Sequence, residues 1–185
     1  MGEQRKKHNR REHLNDFHLN VAGEYVYDGA LYACQNDDAK QRRSKRAVWG
    51  MAAILTVAVA AGGCIPAPGM QHCFYVLLPY LGEFLGAASV IWALAKLGMD
   101  WGTVREYNYK KSVAVLPVRT AVTAVFSGLG IVCELIFFFV NDHAGQTFFA
   151  LLYVLLKLIA LLSVLVLRAE IMQAEWDKLP KKNNS

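Results

Sequence analysis

The sequence predicts an all-α integral membrane protein: an antiparallel bundle of four transmembrane helices with short outer loops and a cytosolic amino-terminal arm. Residues of the set AVILMFWYC make up 55% of the 185 residues and charged residues only 19%, both shifted from globular usage in the apolar direction. Four apolar runs together hold 83 residues but only three of the 35 charges. This segregation argues against a water-soluble domain, a disordered chain and a disulfide framework.

Each apolar run is long enough to form one transmembrane helix. The runs are 19 to 22 residues long, and roughly 20 residues cross the hydrocarbon layer. Helices of soluble cores seldom stay apolar on all faces over such a length. We therefore predict an arm at 1–45, a four-helix domain at 46–168 and a cytosolic tail at 169–185. The predicted spans are 47–65, 74–95, 120–140 and 147–167.

The distribution of Lys and Arg predicts the orientation. Residues 1–46 carry ten of these cations, the connection at 96–119 carries five and the tail after Leu167 carries four, whereas the two other connections carry none. Because Lys and Arg are enriched in cytosolic loops, we predict that both termini and the middle connection face the cytosol. The short loops and compact chain favour a bacterial cytoplasmic membrane.

The amino-terminal arm is too short to bury a core of its own. Within residues 17–33, apolar side chains alternate at Phe17 and Leu19 and again at Tyr25 and Tyr27, with glycine-containing turn pairs between them. This pattern predicts a β-hairpin or a three-stranded β-meander. An irregular linker at the membrane surface is the alternative.

A cluster of five cations directly precedes the first span. Each cation near an anionic leaflet contributes about 1 kcal/mol to membrane binding, so the cluster is predicted to contact anionic inner-leaflet lipids. The alternative is that these residues only determine the topology. Nucleic-acid binding is not expected, because no base-stacking aromatic residues are interleaved with the cations. The cluster consists of Lys40, Arg42, Arg43, Lys45 and Arg46.

Three ionisable side chains lie inside the predicted spans: Glu83, Glu134 and Lys157. Each costs about 2.5–3.5 kcal/mol at a helix centre, so all three are expected to face the bundle. At 1.5 Å per residue, Glu83 and Lys157 lie about 13 and 15 Å below the outer helix ends, and Glu134 about 9 Å below. We predict that Lys157 bridges both acids, and that Tyr80 and Tyr153 supply hydroxyl donors.

Small residues accompany these charges and are predicted to lie at helix contacts. Gly82 and Gly86 form a G-x-x-x-G pair beside Glu83, and Gly128 and Gly130 precede the acid of the third span. Such spacing lets two helix backbones approach closely in a membrane.

Two cysteines, Cys64 and Cys73, bracket the first outer loop on the predicted oxidising side. A disulfide between adjacent helix ends and two free thiols are both open alternatives at this point. After Leu167, the fourth helix is predicted to continue into the cytosol as RAEIMQAEWDKL, up to Pro180.

The chain lacks the short motifs of nucleotide-binding, hydrolytic and zinc-dependent enzymes, so we expect no enzymatic activity, no catalytic residue, no metal and no cofactor. The leading hypothesis is an accessory or assembly subunit that associates with a membrane protein partner or with copies of itself. The alternative is a small oligomeric transporter or channel that uses Glu83, Glu134 and Lys157. A transporter requires a water-accessible cavity at the acids, whereas an assembly subunit requires them to be buried and paired.

Overall fold

Helices account for most of the chain in the computed structural model, which describes residues 17–19, 25–27, 29–98, 102–141 and 147–179. Four of the helices are long and apolar enough to cross a membrane, as predicted. In chain order the helices are α1 (Asp38–Cys64), α2 (Pro68–His72), α3 (Phe74–Leu97), α4 (Glu106–Lys111), α5 (Leu116–Val140) and α6 (Thr147–Met172).

The long helices extend beyond the apolar runs that predicted them. Helix α1 begins at Asp38, well before the predicted span start at 47, so the basic cluster lies in its first turns. The residues added to α1 include Lys, Arg, Gln and Ala, which are good helix formers. Hydropathy marks the part of a helix that suits a membrane, while backbone propensity carries the helix further.

The four long helices form a closed ring. Helix α1 packs against α6 and α3, and α5 packs against α6 and α3, whereas the diagonal pairs scarcely contact each other. On α1 the buried positions recur every three or four residues, as in Val48, Ala52, Leu55 and Val59, which is the spacing of one helix face. The interior of the ring is therefore lined by one face of each helix.

The burial pattern differs from that expected for a water-soluble bundle. Large aliphatic side chains such as Val57 and Leu85 are each 67% exposed. Buried positions include hydroxyl and charged side chains, among them Thr120, Ser127 and Ser163. Exposed apolar faces of this extent are unusual on soluble monomers.

The described residues also include five short strands. They are β1 (Phe17–Leu19), β2 (Tyr25–Tyr27), β3 (Leu31–Cys34), β4 (Thr103–Arg105) and β5 (Trp176–Lys178). Strands β1 and β2 form an antiparallel hairpin, and β3 lies between β4 and β5 in an antiparallel sheet of order β4-β3-β5. The predicted all-α class is thus corrected to a helical bundle with small β elements.

Two predictions about the segments outside the bundle also need correction. Strand β3 does not continue a meander with the hairpin but pairs across sequence with β4 and β5. The fourth helix continues past Leu167, as predicted, but not up to Pro180, because α6 ends at Met172 and Trp176–Lys178 is a strand. The backbone of β3 needs partners on both sides, and residues 103–105 and 176–178 provide them.

Aromatic packing holds this sheet together. The rings of Tyr32 and Tyr109 stack with centroids 4.1 Å apart, and Trp176 lies 6.0 Å from Tyr109. The strands β3, β4 and β5 come from before α1, from between α3 and α5, and from after α6. All three segments therefore meet at one end of the bundle, the sheet end, while α2 lies at the opposite end, the α2 end. Residues 1–16 of the arm and 180–185 of the tail lie outside the described residues.

Candidate functional site

One ion pair lies at the centre of the four-helix ring. Lys157 Nζ contacts Glu83 Oε2, and the exposed fractions of the two residues are 2% and 0%. Glu83 belongs to α3 and Lys157 to α6, which occupy opposite corners of the ring. The pair therefore crosses the axis of the bundle and joins two helices that otherwise scarcely touch.

Two tyrosine rings flank the ammonium group of Lys157. Its Nζ lies 4.6 Å from the ring centroid of Tyr80 and 5.1 Å from that of Tyr153, within cation–π range. The predicted hydroxyl donation is corrected. Tyr80 Oη donates to the carbonyl of Val59 (3.3 Å), and Tyr153 Oη is buried without a hydrogen-bond partner among the described residues. A tyrosine one turn away from a charged residue lies beside it, and here its ring, not its hydroxyl, meets the cation.

The third predicted member of the charge site, Glu134, does not pair with Lys157. It is fully buried on α5, and neither carboxylate oxygen has a hydrogen-bond partner among the described residues. The prediction that Lys157 bridges both acids is therefore corrected to a single pair with Glu83. The reason is a difference in depth. Measured from the helix ends at the α2 end of the bundle, Glu134 lies about 6 Å less deep than Lys157, which is four residues at a rise of 1.5 Å per residue.

Helix α2 covers the buried carboxylate of Glu134. This helix contacts α3, α5 and α6, and the adjacent residues Ala67, Pro68 and Gly69 are buried. A Cβ atom added at Gly69 would collide with Glu134 Oε2. A side chain at position 69 would therefore have to displace this carboxylate. Sequence analysis missed the contact, although the Pro68-Gly69 dipeptide is a recognised loop signal.

Two of the predicted packing glycines lie between α3 and α5. A Cβ at Gly82 would approach the ring of Phe126 to 2.5 Å, and one at Gly86 would approach Thr123 Oγ1 to 2.5 Å. Both glycines therefore permit the close approach of α3 and α5 beside the ion pair. Sequence analysis did not identify Phe126 and Thr123 as their neighbours.

The two predicted glycines on α5 differ from each other. A Cβ at Gly130 would lie 3.6 Å from Lys157 Cε, an ordinary contact, so this residue borders the ion pair. A Cβ at Gly128 would meet no heavy atom within 4 Å, so the proposed close helix contact at Gly128 is not formed. Nearby, Ser127 Oγ donates to the carbonyl of Lys157 at 3.3 Å and links α5 to α6.

Two arginines hold helices together at the sheet end of the bundle. Sequence analysis had not assigned them to the packing of the bundle. Arg119 Nη1 donates to the carbonyl of Ser89 at 2.7 Å, and Arg168 Nη1 donates to the carbonyl of Pro117. Each bond joins two different long helices. These interactions stabilise the end of the bundle opposite α2.

The basic cluster divides into residues that line a cavity and residues that do not. Lys40 and Arg43 border a cavity of about 260 Å³ between the start of α1 and the end of α6. Arg42 and Arg46 are exposed elsewhere on α1, and Lys45 is half-buried. The remaining lining comes from Asn36, Ser44, Glu170 and Gln173.

All four cysteines are free. The disulfide alternative for Cys64 and Cys73 is therefore not realised in the structure. The segment between them contains α2, which folds over the bundle rather than simply joining two neighbouring helix ends. Among the described residues, no group of three or more His, Cys, Asp or Glu side chains is arranged to hold a metal ion.

Four helices of membrane-spanning length and hydropathy, packed around a buried ion pair, define the class as a helical bundle of transmembrane dimensions. Comparison with protein-family models, curated proteins and solved structures finds no match for this chain. The function therefore has to be argued from the site itself.

Proposed function

We propose that this protein is a non-enzymatic multi-pass membrane protein that acts as an accessory or assembly subunit of a larger membrane complex. The observation that carries the proposal is the burial of Glu83 and Lys157 against each other at the bundle axis. Charges that serve transport have to meet water or a substrate, whereas charges that only hold helices together can stay withdrawn from water and paired with each other.

The outward-facing aliphatic residues support insertion into a bilayer. Large apolar side chains on the outside suit lipid, and small or polar side chains on the inside suit helix packing in a membrane. The three-stranded sheet supports an even number of crossings, because it joins segments before α1, after α3 and after α6 at one end. The excess of Lys and Arg in these segments favours a cytosolic sheet end.

The position of the ion pair supports a structural role. Removing one partner of a buried pair destabilises a protein by about 3–5 kcal/mol, because the other charge is left uncompensated. Because the pair joins the diagonal helices α3 and α6, any arrangement in which these helices are out of register leaves both charges unpaired and is less stable. This selectivity suits a protein whose main task is to present a defined surface to a membrane partner.

Affinity purification from native membranes tests the assembly role. A tagged chain should retain a membrane protein partner in fixed stoichiometry through mild detergent and size-exclusion chromatography. The variant Glu83→Gln should lose both bundle stability and the partner, while Arg42→Gln, which changes an exposed cation on α1, should keep both. Purification as a stable monomer with no partner in native membranes would contradict the proposal.

A second candidate, a small oligomeric transporter or channel, rests on Glu134. This carboxylate forms no ion pair among the described residues, so its charge is open to a proton or cation that reaches it, which is the role of acids in membrane transport pathways. Reconstitution into liposomes distinguishes the two functions. Flux of protons or alkali cations that is lost in Glu134→Gln, with unchanged folding, would establish transport, and its absence at all gradients would exclude it.

A further inference from the structure

The cavity at the sheet end has the composition of an anion site. It has a volume of about 260 Å³ and lies where the first turns of α1 meet the last turn of α6. Side chains that can donate hydrogen bonds line most of it: Asn36, Lys40, Arg43, Ser44 and Gln173. Glu170 is the one lining side chain that, when ionised, can only accept hydrogen bonds.

The two cations of this cavity are available to a ligand. Among the described residues, neither Lys40 nor Arg43 forms an ion pair with Glu170 or with another acid. Ser44 is buried at the wall of the cavity. An ammonium, a guanidinium and a hydroxyl that converge on one cavity match the acceptor oxygens of a phosphate group.

We infer that this cavity binds a single phosphate group, either of a lipid headgroup or of free phosphate. Lys40 and Arg43 neutralise the phosphate, while Asn36, Ser44 and Gln173 donate hydrogen bonds to its oxygens. Glu170 reduces the charge of the lining to one positive charge in excess, which balances a phosphodiester. A phosphate monoester carries about 1.5 to 2 negative charges at pH 7, so it is balanced less well.

The level of the cavity along the helices matches a headgroup, an argument that rests on the proposed membrane insertion. Ser44 lies three residues before the apolar run of α1, and Gln173 lies six residues after that of α6. At 1.5 Å per residue these positions are about 4.5 and 9 Å outside the apolar runs. The polar layer on each side of the hydrocarbon core is about 5–7 Å thick, so Ser44 lies within this layer and Gln173 lies just beyond it. A lipid phosphodiester therefore reaches the side of the cavity that is nearer the membrane.

Binding to the delipidated full chain in detergent tests the inference. The probes are sodium phosphate and dihexanoyl phosphatidylglycerol, and the readouts are the thermal midpoint and the dissociation constant. We expect Arg43→Gln and Lys40→Gln each to weaken binding at least 10-fold for whichever of the two probes binds the wild-type chain. The matched control is Arg42→Gln, which removes the same charge from the same helix outside the cavity and should change binding less than threefold.

The outcomes separate a built site from general attraction. Equal weakening by Arg43→Gln and Arg42→Gln would show that only the summed surface charge matters and would overturn the inference, as would failure of both probes to bind. Saturable binding of phosphatidylglycerol but not of phosphate identifies a lipid source, and the reverse identifies free phosphate. Glu170→Gln should tighten binding of either probe several-fold, and weaker binding would contradict the role given to the carboxylate.

These results are independent of the assembly role. A phosphate site can be present in a chain that purifies without any partner, and a partner can be retained after Arg43→Gln has abolished phosphate binding. Failure of the site and failure of the proposed function are therefore distinguished by measuring phosphate affinity and partner stoichiometry on the same variants.

Discussion

At the scale of single residues, the Glu83–Lys157 pair is informative because losing one charge and exchanging both charges have different consequences. Two charges out of water are tolerable only when they compensate each other, and the loss of one leaves the other desolvated. The flanking rings of Tyr80 and Tyr153 add cation–π attraction to the ammonium. The pair should therefore respond very differently to the removal of one charge and to the exchange of both.

Replacing one partner should destabilise the bundle strongly. We expect Glu83→Gln to lower the free energy of unfolding by about 3–5 kcal/mol, because Lys157 is then buried without a counter-charge. The matched control is Glu106→Gln, which breaks the exposed pair Glu106–Lys110 and should cost less than about 1 kcal/mol. Thermal unfolding in detergent measures both, and equal stability of Glu83→Gln and wild type would contradict the structural role.

Exchanging the two charges should restore much of the lost stability. The double variant Glu83→Lys with Lys157→Glu retains one charge of each sign across the bundle axis, so it should be more stable than either single reversal. The comparison of the four proteins is a double-mutant cycle, which isolates the coupling between the two sites. Additive losses in this cycle would show that the two side chains do not interact.

The contact of Gly69 with Glu134 predicts that a methyl group at position 69 destabilises the protein, and that shortening Glu134 restores part of the stability. We expect Gly69→Ala to destabilise the protein by about 1–3 kcal/mol, typical of overpacking, because the new methyl group collides with Glu134 Oε2. Adding Glu134→Ala should recover part of this loss. As a control, Gly128→Ala places a methyl group in open space and should be neutral or stabilising.

At the scale of elements, strand β5 decides how the tail is held. Leu179 N–H donates to the carbonyl of Leu31 at 2.8 Å, at the end of the ladder between β3 and β5. The helix α6 therefore does not need to continue past Met172, since the residues beyond it find hydrogen-bond partners in the sheet.

Removing this backbone donor should loosen the tail without affecting the bundle. We expect Leu179→Pro, which deletes the N–H, to cost about 0.5–1.5 kcal/mol and to accelerate hydrogen exchange and proteolysis around β5. The control Leu179→Ala keeps the N–H and shortens the side chain. Equal protection of β5 in both variants would show that the hydrogen bond does not hold the tail.

At the scale of the whole molecule, the closed ring and the sheet impose a topology. The arm, the middle connection and the tail meet at the sheet end, and α2 covers the other end. This arrangement allows the proposed bilayer insertion only with all three basic segments on one side.

Thiol labelling measures this topology. In single-cysteine variants in intact cells, an impermeant maleimide should modify the exposed Cys64 at the α2 end. Cys34, at the sheet end, should react only after permeabilisation. Labelling of Cys34 in intact cells would reverse the proposed orientation.

Much of this architecture follows from the order of residues alone. Four stretches that are apolar on all faces predict four long helices, and three isolated charges within them predict buried partners, because hydrocarbon penalises an unpaired charge. Alternating apolar residues in the arm predict the hairpin of β1 and β2. Each of these inferences depends on local composition and on the helix or strand repeat, which a sequence displays directly.

Other features depend on which segments meet in space, and only the tertiary structure decides them. Composition does not reveal that Lys157 selects Glu83 over Glu134, that Gly69 closes over the second acid, or that β5 joins β3. Nor does it separate Arg43 in the cavity from Arg42 outside it. Pairing across the ring is determined by the rotation and depth of each helix, and these quantities are set by packing among all four helices together.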